Sequence, residues 1–194
     1  MTPERKARLT YVLDNRQPDL AVVMENINDP HNIFAIMRTC DAIGVQDIYI
    51  VNTPIKRHRK FGKASSTSAT KWVTRHEFDD LDTCLSVVRS RYNKLYASYL
   101  GESSYGLYDM DMTESVALVF GNEREGITDE MLAKCDGTFL IPQVGMIRSL
   151  NVSVACAVTL YEAMRQRMSK GLYGNSRMAT ANRKNLADDW GMYE

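Results

Sequence analysis

Three stretches of the chain hold side chains able to do chemistry. In IPQVGMIRSLN (141–151), Gly145 makes a tight loop that hands Arg148, Ser149 and Asn151 to the start of a long helix. Amide groups are free at such a start, and the helix dipole favours an anion or a developing negative charge there. Ser149 would serve equally as the simple N-cap of a helix over 149–168. GNEREG (121–126) follows an apolar run and has a glycine at each end, which lets a ligand approach the backbone closely. It reads equally as a turn before a charged helix start. In NDPHNIFAIMRTCDAIGV (28–45), an Asn-rich opening leads into an apolar helix with one arginine, Arg38, in its middle. Helical spacing puts Ile33, Ile36, Met37, Cys40 and Ile43 on one face. Arg38 falls on the other, with Asp41 as an i,i+3 partner worth roughly 0.2–0.5 kcal/mol.

Several chemistries are excluded by the same reading. Neither GNEREG nor GESSYG (101–106) ends in the Lys-Ser/Thr of a P-loop, and no G-x-G-x-x-G follows a strand. Triphosphate and dinucleotide binding therefore lack support. Cys40, Cys84, Cys135 and Cys156 form no C-x-x-C pair, and His31, His58 and His76 are scattered. No metal site is expected, and the thiols are read as free in a reducing compartment. MTPERKARLT lacks the apolar core of a signal peptide, and no run is long enough to span a bilayer. A cytoplasmic protein is expected.

The elements that must position these stretches follow from periodicity. A helix is predicted over 3–16, with Thr2 as cap and Leu9, Val12 and Leu13 on one face. LAVVME (20–25) and DIYIV (47–51) read as buried strands flanking the Arg38 helix, which makes a βαβ unit and hence a parallel sheet. KWVTRH is a strand edge, and 81–92 is a helix carrying Leu81, Leu85 and Val88. KLYASYL (94–100), SVALVF (115–120) and GTFLIP (137–142) are further strands, and 128–135 is a short helix capped by Thr128. The tail from Lys170 is polar and weakly patterned. The fold class is α/β, a mainly parallel sheet flanked by helices. In such sheets ligands bind beyond the carboxyl ends of strands, where the chemistry-bearing loops would converge.

Formal net charge is zero, so no global field advertises nucleic acid. Two local basic runs do. PIKRHRKFGK (54–63) gathers Lys56, Arg57, Arg59, Lys60 and Lys63 around Phe61. Residues 165–184 carry Arg165, Arg167, Lys170, Arg177, Arg183 and Lys184 with no acidic residue among them. Both suit phosphate contacts.

Taken together, NDPHNIFAIMRTCDAIGV, LVFGNEREGI and IPQVGMIRSLNVSVACAVTLYE resemble, in order and spacing, the three motifs of the SpoU/TrmH branch of the SPOUT RNA methyltransferases. Coverage runs from about residue 4 to 170. RQPDLAVVMENINDPHN looks more narrowly like the tRNA guanosine 2′-O-methyltransferases of that branch. The resemblance implies a C-terminal deep trefoil knot, which physical rules alone would disfavour. It implies S-adenosylmethionine as methyl donor, held by Ser98, Tyr99, Leu100, Gly121, Ile141, Met146 and Leu150. It implies a homodimer with its active site near the subunit interface, and tRNA as partner. Arg38 matches the catalytic arginine, Asn32 the asparagine of the first motif, Glu123 the glutamate of the second, and Ser149 and Asn151 the pair of the third. Lys56, Arg57, Arg59, Lys60, Lys63, Arg148, Arg165 and Arg167 would bind RNA. The expected division is an N-terminal helical extension over 1–18, the methyltransferase domain over 19–168 and a C-terminal extension over 169–194. The expected reaction is 2′-O-methylation of the D-loop guanosine of tRNA. The alternatives are the same chemistry on a wobble or ribosomal-RNA ribose, or a non-catalytic RNA-binding factor.

Overall fold

The computed structural model of the chain describes residues 1–53 and 71–193. Seven strands form one parallel sheet: β1 (Leu20–Glu25), β2 (Asp47–Val51), β3 (Thr74–Phe78), β4 (Lys94–Ser98), β5 (Tyr105–Gly106), β6 (Val116–Phe120) and β7 (Gly137–Leu140). Their order across the sheet is β3-β2-β1-β6-β4-β7-β5. Val22 of β1 stands between Ile48 and Leu118, so the first strand sits beside the sixth. Because every pairing is parallel, all carboxyl ends lie on one rim.

Side-chain alternation divides the core into two layers. Leu20, Val22, Met24, Ile48, Ile50, Leu118 and Phe120 face α2 (Pro30–Ile43) and α5 (Val152–Ser169). Ala21, Val23, Tyr49, Val51, Ala117 and Val119 face α3 (Leu81–Arg89) and α4 (Asp129–Ala133). The central strands are buried on both faces, which is why they read as unbroken apolar runs. The apolar face of α2 is the one its spacing predicts: Ile33, Ile36, Met37, Cys40 and Ile43 are all buried. Asp29 caps this helix by accepting from the His31 amide at 2.9 Å, and Pro30 opens it. Gly44 closes it at φ +92°, where a Cβ would stand 2.4 Å from the Asn15 carbonyl oxygen.

Three features depart from the sequence reading. Helix α5 begins at Val152 and is capped by Asn151, whose side chain accepts from the Ser153 amide, so Ser149 lies outside it. The two-residue β5 continues the sheet beyond β7. The tail contains a helix, α6 (Thr180–Asp189). Ala187, Trp190 and Met192 of this region pack against Leu9 and Leu13 of α1 (Pro3–Asp14) in a third apolar cluster. No helix among the described residues is long and apolar enough to cross a membrane.

Candidate active site

The rim formed by the carboxyl ends of β4, β6 and β7 opens into a cleft of about 360 Å³. Its walls are the loops after those strands and the first turn of α5. Ser98, Tyr99, Leu100, Gly121, Ile141, Glu123, Arg148, Ser149 and Leu150 all line it. Met146 does not line the cleft, and its side chain is 98% exposed. The volume falls within the roughly 300–1,000 Å³ of small-molecule sites. Tyr99 is held on both sides: its amide donates to the Phe139 carbonyl at 2.9 Å, and its carbonyl accepts from Ser104 at 2.9 Å. Among the described residues, the main-chain groups of Leu100 and Ile141 have no such partners. They leave donors and acceptors for a ligand in an otherwise partly apolar cleft.

The turn 121–126 is built to present Glu123. Gly121 leaves β6 so close to the returning chain that a Cβ would stand 2.3 Å from the Gly126 carbonyl oxygen. Asn122 and Gly126 exchange main-chain hydrogen bonds at 3.0 and 2.8 Å. The Asn122 side chain accepts from the Arg124 amide at 2.8 Å and donates to the Asn26 carbonyl at 2.9 Å. Asn26, at φ +53°, in turn accepts from the Thr53 amide at 2.9 Å. The far end of the loop is fixed by Glu25. This fully buried carboxylate accepts from the Thr128 amide at 2.9 Å and from its hydroxyl at 2.6 Å.

Three of the expected catalytic residues meet in one hydrogen-bonded relay. The Ser153 amide and hydroxyl donate to Asn151 Oδ1 at 2.9 and 2.6 Å. Asn151 Nδ2 donates to Asn32 Oδ1 at 3.1 Å. Asn32 Nδ2, on a residue 9% exposed, donates to Glu123 Oε1. All donors point one way, toward the exposed Glu123 carboxylate. Oε2 of that carboxylate has no partner among the described residues, so the relay ends in one open acceptor oxygen.

Arg38 stands apart. It lies about 9 Å along α2 from Asn32 and about 120° round the helix. It is exposed and does not line the cleft. Asp41 is not its partner: that carboxylate binds the buried Arg16 at 2.7 Å. Arg38 has no ion pair among the described residues, and neither have Arg124 and Arg148 at the cleft.

The expected RNA-binding residues separate into three groups. Lys56, Arg57, Arg59, Lys60 and Lys63 lie outside the described residues. Arg148 is exposed at the cleft, and Arg165 is exposed while paired with Glu162 at 2.7 Å. Arg167 is a correction: its side chain is fully buried, bound to Asp19 at 2.6 Å and to the carbonyls of Met112 and Glu114 at 2.8 Å each. It cannot reach a phosphate without leaving the core. The sequence reading overlooked Asn26, Glu25 and Arg124. Glu25 did leave a signal, a carboxylate ending an otherwise apolar run.

With this geometry, the similarities of the chain can be placed. Residues 19–161 match the model of the SpoU rRNA Methylase family. A tRNA (guanosine(18)-2′-O)-methyltransferase of Thermus thermophilus is 41% identical over 189 residues, covering 97% of this chain and 96% of that protein. The enzyme of the same name from Escherichia coli is 37% identical over 193 residues, covering 98% and 83%. The crystal structure of the A. aeolicus TrmH/SpoU tRNA modifying enzyme superposes with a TM-score of 0.86 at 34% identity, covering 96% of this chain and 94% of that one. The chain belongs to the SpoU rRNA Methylase family.

Proposed function

We propose that the chain is an S-adenosylmethionine-dependent RNA 2′-O-ribose methyltransferase that acts on the D-loop guanosine, position 18, of tRNA. The observation that carries this reading is the cleft itself. In a chain of a methylase family, similar over nearly its full length to enzymes named for that guanosine, the rim opens beside a relay ending in an open carboxylate oxygen. Ser98, Tyr99, Leu100, Gly121, Ile141 and Leu150 would hold the methyl donor, largely through main-chain groups. Bound there, the sulfonium supplies a methyl already activated for transfer, so the chain's own residues have to position the ribose and take up a proton.

A ribose 2′-hydroxyl is a poor nucleophile until it loses its proton. Glu123 Oε2 is the acceptor we assign. Asn32 fixes the other carboxylate oxygen, and Asn151 and Ser153 fix Asn32 from the start of α5. Arg38 is assigned as a clamp on the adjoining phosphate and a stabiliser of the developing alkoxide. A guanidinium stays protonated and donates in a rigid fork, so it suits this role and not that of a base. Ser149 lines the cleft next to Arg148, free of any capping duty.

We further propose a cytoplasmic homodimer. Val144, Met146 and Ile147 are exposed beside the cleft, and Val154, Tyr161 and Met168 repeat every seven residues along the outer face of α5. Such a stripe suits a second copy. Since Arg38 lies outside its own chain's cleft, an interface close to the site gives it a route to the ribose. The family's deep trefoil knot is assigned to the C-terminal part of the 19–168 domain, with 1–18 and 169–194 as extensions. The basic segment 54–63, Arg148 and Arg165 are assigned to the RNA.

The test is methyl transfer from labelled S-adenosylmethionine to unmodified tRNA transcripts, with the product ribose located by its resistance to alkaline cleavage. One resistant linkage, at the D-loop guanosine, is expected. A resistant linkage at the wobble ribose, or in ribosomal RNA alone, would move the substrate and keep the reaction. Absence of transfer to any RNA would defeat the methyltransferase reading.

A further inference from the structure

GESSYG (101–106) fails as a phosphate loop, yet its Ser104 bonds Tyr99 of the cleft wall. The structure assigns Ser104 of this segment as a positioning residue: its hydroxyl sets the 98–101 loop in the conformation that receives the methyl donor. The inference rests on the methyltransferase reading above and adds a residue that none of the three motifs contains.

The hydroxyl is a hub with every bond used. It donates to the Tyr99 carbonyl at 2.9 Å, accepts from the Gly101 amide at 3.2 Å and meets the Thr138 hydroxyl at 2.7 Å. Its single hydrogen goes to Tyr99, so Thr138 is the donor in the third contact. The Ser104 amide also donates to the Gly101 carbonyl at 3.1 Å, closing the turn. One side chain thus ties the loop leaving β4 to Thr138 of β7, the residue paired with Ala97 in the sheet. The turn has no spare room: a Cβ on Gly101 would stand 3.1 Å from the Tyr99 ring and 3.3 Å from Ser104 Oγ.

The consequence falls on Leu100. The Tyr99 carbonyl, accepting from Ser104, fixes the peptide plane entering Leu100, and the Gly101 amide, donating to Ser104, fixes the plane leaving it. The free amide and carbonyl of Leu100 are then held in one orientation at the cleft wall. Removing the hydroxyl releases both planes without touching the lining side chains, so affinity for the donor should fall while the reacting groups stay in place.

Calorimetric titration of the intact protein with S-adenosylmethionine, and with its unreactive product S-adenosylhomocysteine, tests this directly. Ser104→Ala should raise Kd for both ligands about ten-fold, the effect of roughly one well-placed polar contact. KM for the donor should rise with it, while kcat at saturating donor stays within about three-fold and the melting temperature moves little. Ser104→Thr should restore binding. Thr138→Val should weaken it in the same direction and checks the hub should Ser104→Ala fold poorly. Unchanged Kd in both Ser104→Ala and Thr138→Val would overturn the inference. So would a joint loss of kcat and stability that Ser104→Thr does not repair. Failure of the unaltered protein to bind either ligand would instead defeat the methyltransferase reading.

Discussion

The arginines of the terminal strap and those of the carboxyl rim form opposite populations. In the strap, Arg16 binds Asp41, Arg167 and Arg177 share Asp19, and Arg183 binds Asp14, at 2.5 to 2.7 Å. Arg16 also lies over the Trp190 ring at 5.3 Å. Arg177 and Arg183 fasten the segment after α5 to the segment before β1, Arg167 ties α5 itself to that segment, and Arg16 ties it to α2. Gln17 adds a bond to the Leu172 carbonyl at 3.0 Å, and Tyr173 one to the Ile43 carbonyl at 2.7 Å. At the rim Arg124 and Arg148, and on the outer face of α2 Arg38, are exposed and have no carboxylate partner among the described residues. The sequence shows the same residue type in both places. The pairing separates an arginine that holds the fold from one left available for phosphate.

The contrast breaks most sharply at Arg167. Arg167→Ala strands the Met112 and Glu114 carbonyls and leaves Asp19 with Arg177 alone. A loss of about 2–4 kcal/mol in urea-denaturation stability is expected, from two buried carbonyls left without their donor and the void the side chain leaves. If the residue instead served RNA, stability would hold and only tRNA affinity would fall.

On the other side, Glu123→Gln should leave the melting temperature nearly unchanged and lower turnover about a hundred-fold. The amide can still accept from Asn32 but cannot take a proton. A variant that kept its turnover would move the base elsewhere.

Acid should separate the two regions again. Burial pushes the Asp19 carboxyl upward, but hydrogen bonds from Arg177 and Arg167 outweigh it and hold the group below its ordinary range. A carboxyl depressed in the folded state contributes stability fully above the ordinary Asp value of about 3.9, and loses it as pH falls through the folded value. Thermal melts from pH 5 downward should therefore show a decline that is shallower in Asp19→Asn, already weakened at neutral pH, where Asp47 and Asp136, despite burial, are still held low by their hydrogen-bonded partners. Parallel declines in the two proteins would deny Asp19 that role.

The smallest effect is expected at Arg165: its guanidinium is exposed, and its buried i,i+3 partner Glu162 keeps Gln166 at 2.8 Å, so the pair is worth about 1 kcal/mol. Arg165→Ala should barely shift stability, while reducing the salt slope of tRNA binding by about one contact. An unchanged slope would remove Arg165 from the RNA surface.

Much of the frame was legible because it is local. The valine-rich runs, the α2 stripe and the Thr2 and Thr128 caps each declare themselves within a few residues. Helix α6 was not legible: Ala179 offers it no side-chain cap, and Ala187 is its one buried residue. Docking on α1 defines it, and tertiary contact overrides weak propensity. The basic run 165–184 was misread for a related reason. Its acids, Asp14 and Asp19, lie about 150 residues away in sequence, so counting charge along the chain saw cations without their partners. At the site, motif resemblance picked out Asn32, Glu123 and Asn151. The direction of their relay, and the hold of Ser104 on the Tyr99 carbonyl, exist only once the strands are ordered.

Arg38, exposed and without an ion pair among the described residues, is assigned to act on the transition state through its forked guanidinium. Single-turnover methyl transfer by Arg38→Lys, at saturating tRNA and saturating S-adenosylmethionine, tests it most directly. Lysine keeps the charge and loses the fork, so the rate should fall by about a hundred-fold or more with the melting temperature unchanged. A rate within a few-fold of the unaltered protein would contradict the clamp and reduce Arg38 to a solvated cation on the outer face of α2.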